Sequence, residues 1–120
     1  GRAAYGSLRK IVLRRLIIIG SYMILKFGGR NSKKLISRYI LESIIDREIG
    51  IELMNIIEML SYFLDESQQL YEQRVSLEDQ TLIINLINVI DSDHEEFIEA
   101  LLSLLFAKMN FISNFRVKDW

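Results

Sequence analysis

The chain has 120 residues, a formal net charge of −1, a half share of hydrophobic residues, and neither cysteine nor proline. At that length and apolar content it is read as one domain, 1–120, with enough side chains to build a core, which excludes disorder of the whole chain. Without cysteine there is no disulfide framework and no thiolate chemistry, which fits a reducing compartment; an intracellular, cytoplasmic location is the expectation.

The first residue is glycine, so Gly1 and Arg2 read as a scar of processing or tagging, with residues 1–5 as a disordered or added end. From Leu8 to Phe27 the sequence LRKIVLRRLIIIGSYMILKF places Leu13, Leu16, Ile17, Ile24 and Phe27 at helical spacing. The run Leu16–Ile19, rich in β-branched residues, would also suit a strand, but twenty residues without a turn signal exceed a normal strand. Its uncharged stretch Leu16–Leu25 is ten residues, too short to cross a bilayer. An Arg-rich, acid-free amphipathic start also has the look of a mitochondrial presequence, which a mature chain would have lost.

Gly28-Gly29 should end this helix with a left-handed cap, and Asn31 or Ser32 should cap the next. Leu35, Ile36, Tyr39, Ile40, Ser43, Ile44 and Ile45 trace an apolar stripe, with Gly50 as the following break. Leu53, Ile56, Ile57, Leu60, Phe63 and Leu64 form another stripe, and DESQQLYEQR (65–74) is an extension of it or a connection. Ser76 with Asp79 is a capping pattern before Leu77–Ile90. Ser92 with Glu95 is a second one, followed by acids in the first turns, which the helix dipole favours. Beyond Phe97 that last helix is apolar on nearly every side, as a helix enclosed by its neighbours would be. The expected fold is all-α: a compact bundle of about five helices, at about 6–27, 32–49, 51–66, 77–90 and 93–112, around the largely apolar central helix 93–112.

Little in the chain points to catalysis. His94 is the single histidine, which excludes multi-histidine metal sites, and its acidic neighbours Asp91, Asp93 and Glu95 read as a helix start. There is no phosphate-binding glycine loop and no nucleophile elbow. No catalytic, metal or cofactor-binding residue is assigned, no cofactor and no small-molecule substrate are expected, and the chain is read as no enzyme.

Charge is unevenly spread: residues 1–41 hold ten Lys or Arg and no acid, whereas 42–120 hold five basic and sixteen acidic residues. Arg9, Lys10, Arg14, Arg15, Arg30, Lys33, Lys34 and Arg38 are the candidate anion-binding residues, able to meet phosphates if the fold gathers them. Nothing among them reads bases, since no nucleic-acid-binding motif accompanies them. The competing expectation, and the favoured one, is that they neutralise the acidic helices within the fold.

Leu86–Leu105, LINVIDSDHEEFIEALLSLL, resembles the helix–turn–helix of armadillo and HEAT repeats, two apolar helices joined by a short acidic turn; it does not recur, so no solenoid follows. Leu60-Ser-Tyr-Phe63-Leu64-Asp65 resembles the BH3-type helix of Bcl-2-like proteins, and a near-fully apolar helix follows it as in that family. The glycine-arginine pair that opens that family's central helix is not present at His94–Phe97. The resemblance implies an apoptosis regulator that binds a partner helix, with Leu60, Phe63, Leu64 and Asp65 as candidate partner-binding residues. The leading functional expectation is broader: a non-enzymatic regulatory or interaction module that binds another protein through an apolar groove or surface and forms homo-oligomers. The alternative from another class is an electrostatic binder of nucleic acid or anionic membrane through the basic N-terminal third.

Overall fold

A computed structural model of the chain describes residues 2–64 and 75–103, with side chains from Arg9 onward. Among the described residues there are five helices and no strand: α1 (Arg2–Phe27), α2 (Gly29–Leu41), α3 (Arg47–Ser61), α4 (Leu77–Asn88) and α5, helical from 94 to 103. The all-α bundle is as the hydrophobic periodicity predicts. The run Leu16–Ile19 lies within α1, where Leu16 and Ile19 are buried and Ile17 and Ile18 face outward.

The core is mostly aliphatic. Leu16, Ile19, Met23, Ile24 and Phe27 of α1 pack with Ile36 and Tyr39 of α2, Leu53 and Ile57 of α3, and Ile83, Leu86 and Ile87 of α4. Contacts from α1 reach α2, α3 and α4, which makes it the hub of the described elements. From the predicted central helix 93–112, Phe97 and Ala100 of α5 enter the core while Ile98 and Leu102 stay partly exposed; Leu104–Ile112 lie outside the described residues. Gly20 of α1 permits the close approach of α3, since a Cβ there would stand 3.3 Å from Ile56 Cγ2 and 3.6 Å from Leu53 Cδ1.

The Gly28 break occurs where expected, with φ 89°, a backbone that favours glycine. Its neighbours act differently from the reading of Asn31 and Ser32 as caps of the next helix. Gly28 itself occupies the N-cap of α2, and Asn31 Nδ2 donates to the Phe27 carbonyl (3.0 Å), closing α1 instead.

The single helix predicted over 32–49 is in fact two elements. α2 stops at Leu41 in a Schellman motif: Ile44 N–H donates to Tyr39 O (2.9 Å) and Ser43 N–H to Ile40 O (3.1 Å), with Ser43 at φ 57°. Asp46 then caps α3, its carboxylate accepting from Ile49 N–H at 3.1 Å. Gly50 is therefore no break but a buried residue of α3, where a Cβ would come within 2.5 Å of Ile40 Cγ1. Ser76 caps α4 as expected, its Oγ accepting from Asp79 N–H at 3.0 Å, while the Asp79 carboxylate turns to Lys26 of α1. At the start of α5 the cap lies one residue past Ser92: Asp93 Oδ1 accepts from Glu96 N–H at 2.9 Å.

Candidate functional site

Two turns of α1 set the first surface. Ile11, Arg14 and Ile18 recur at steps of three and four, so they share one face of the helix. That face meets Phe97, Ile98 and Leu101 of α5 across an open groove of about 520 Å³. Phe97 is buried at its base, whereas Ile11, Ile18 and Ile98 are 41 %, 49 % and 38 % exposed. Two aliphatic runs thus differ in fate: Ile83, Leu86 and Ile87 of α4 enter the core, whereas Ile17 and Ile18 of α1 do not.

Arg15 holds the groove together. It is 6 % exposed, and its Nη1 donates to Ile90 O (2.9 Å) and Ser92 O (2.6 Å), while its guanidinium lies 4.5 Å from the centre of the Phe97 ring. The two carbonyls belong to the turn that follows α4, where the helix dipole is negative. Arg15 therefore leaves the candidate anion-binding set: all its visible partners are internal, and it joins α1 to the α4–α5 turn. Arg14, one residue earlier, is exposed and forms no ion pair among the described residues. Across the groove stand Asp91, Asp93 and His94, the last in the first turn of α5.

The remaining cations do not form one patch. Arg9, Lys10 and Arg14 lie in the N-terminal half of α1, about 20 Å of helix away from its end at Phe27. Arg30, Lys33, Lys34 and Arg38 lie on α2, where they surround a shallow depression with Ser37 and Leu41. Arg38 pairs with Glu42 at 3.2 Å on an exposed helix face, a contact of small value. Neutralisation between the basic and acidic parts of the chain occurs, among the described residues, at one long-range pair, Lys26–Asp79 at 2.9 Å. That pair also ties the last turn of α1 to the first turn of α4, each charge at the helix end that favours it. Lys26 additionally lies 5.7 Å and 5.8 Å from the ring centres of Tyr22 and Phe27.

The BH3-like residues are not presented together. α3 ends at Ser61, Leu60 and Leu64 pack against the core, and Phe63 projects into solvent; Asp65 lies outside the described residues. Two features had no counterpart in the sequence reading, the structural role of Arg15 and the close approach at Gly20. The first was accessible in principle: with Leu16, Ile19 and Met23 inward, Arg15 falls at the edge of the same face. No helix among the described residues is long and apolar enough to cross a membrane. No family model, curated protein or solved structure matches the chain.

Proposed function

We propose that this protein is a non-enzymatic interaction module and that the α1–α5 groove is its binding surface, occupied by a second copy of the chain. The supporting observation is the groove itself, where three isoleucines remain partly exposed above a buried phenylalanine. Contiguous apolar surface of this kind gains free energy when another apolar face covers it.

The choice of a second copy rests on charge. One rim of the groove is basic, with Arg14 and, one turn earlier on α1, Lys10; the opposite rim is acidic, with Asp91 and Asp93. A two-fold axis running along the groove sets the basic rim of each protomer against the acidic rim of the other, which makes the surface self-complementary as an isologous interface needs. A partner with a uniformly charged face would meet one rim with like charge. Sedimentation at micromolar concentration should show a dimer. Ile18→Asp should convert it to a monomer that still melts cooperatively, because Ile18 is already half exposed and its loss opens no cavity. A wild-type chain that stays monomeric up to about 100 μM would reject this reading.

A further inference from the structure

The outer face of α2 is not absorbed by the groove. Arg30, Lys34, Arg38 and Leu41 follow one another at steps of four, four and three, so they form a single stripe along that helix; all four are exposed. Arg30, Lys33 and Lys34 fall in its first turns, where the dipole disfavours cations, and no acid accompanies them there. None of the three makes an ion pair among the described residues. The fold thus places three like charges together at the end of the helix least suited to them.

Apolar side chains stand at both ends of this stripe. Leu41 closes one end, 85 % exposed. At the other, Tyr62 shares a second depression with Arg30 and Lys33; it is 84 % exposed, and Phe63 beside it is 80 % exposed. Glu58 also borders this depression, and Glu42 borders the first, where it pairs with Arg38.

We infer that the α2 face is a docking surface for an anionic lipid membrane, lying flat on it without crossing it. Lys and Arg beside a bilayer are drawn to its negative surface potential, and tyrosine, phenylalanine and leucine gain by entering the boundary between headgroups and acyl chains. Nucleic acid shares the phosphate chemistry but fits this surface less well. Leu41 can neither stack on a base nor hydrogen-bond to one, yet it shares the depression formed with Arg30, Lys34 and Arg38. This inference stands apart from the α1–α5 groove, which lies on other elements.

The test is co-sedimentation of the full chain with vesicles of pure phosphatidylcholine and of phosphatidylcholine mixed with phosphatidylserine, alongside a gel shift with single- and double-stranded oligonucleotides. Binding to the serine-containing vesicles alone is expected, weakening as salt is raised. Arg30→Gln/Lys33→Gln/Lys34→Gln should lower the vesicle affinity roughly fivefold for each charge removed. Leu41→Ser/Tyr62→Ser should also reduce it, with the charges intact. The variants alter side chains that are exposed or, at Lys33, half-buried, and thermal melting close to wild type would verify that they fold. Equal sedimentation with pure phosphatidylcholine, wild-type binding by either variant, or a gel shift without vesicle binding would overturn the inference.

Discussion

A buried guanidinium is costly unless its donors are met, and the surroundings of Arg15 meet them with neutral groups: two carbonyls, the negative end of α4 and the face of Phe97. Removing the side chain strands both carbonyls and opens the base of the groove. Arg15→Met should cost about 2–4 kcal/mol in chemical denaturation, whereas Arg14→Met should stay within about 0.5 kcal/mol of wild type. Adjacent arginines thus differ by helix phase alone, which composition and charge counts do not register. Tyr39 gives a second expectation. Burial pushes its hydroxyl from 10.0 up to about 12, and the hydroxyl donates to Gln80 Oε1 at 2.9 Å. Between those two values the unfolded chain releases the proton before the folded one, so stability is fully present below about pH 10 and falls as pH rises towards 12. Tyr22 is raised as well, chiefly by burial and partly offset by Lys26, so it adds to the fall. Urea midpoints measured from neutral to alkaline pH should show this decline, and Tyr39→Phe should flatten it without abolishing it.

Helices α2 and α3 illustrate which boundaries the chain advertises. Gly28, Ser76 and the acids before α5 are residue types strongly preferred at such positions, and each marks a boundary to within a residue or two. The end of α2 is hidden because Ser43 takes the left-handed position usually held by glycine, and because Ile44 and Ile45 continue the apolar spacing past it. Gly50 compounds the misreading: its role is close approach to Ile40, which no single-chain pattern distinguishes from a break. The two helical glycines should respond differently to a methyl group. Alanine gains about 1 kcal/mol of helix propensity at either site. At Gly50 the new Cβ would collide with Ile40 Cγ1 and Cδ1 at 2.5 and 2.7 Å, so Gly50→Ala should be destabilising by about 1–2 kcal/mol net. At Gly20 the nearest atom is 3.3 Å away, and Gly20→Ala should melt close to wild type.

For the molecule as a whole, fold class was legible because nineteen isoleucines and their aliphatic neighbours recur at helical spacing through most of the chain. The groove was not, since it depends on how α1 and α5 meet, and that is set by Arg15 and Phe97 rather than by either helix alone. The charge asymmetry was visible but its arrangement was not: the fold divides the cations between two distant faces and uses Lys26 and Arg15 internally. A rim that is basic on one side and acidic on the other makes the proposed dimer sensitive to charge reversal in a way that apolar contact alone is not. Sedimentation equilibrium of wild type, Arg14→Asp and Arg14→Asp/Asp91→Arg therefore tests it most directly. Dimers of wild type, monomers of the single variant and recovered dimers of the double variant are the expected result. A monomeric wild type, or a single variant that dimerises as tightly as wild type, would contradict it.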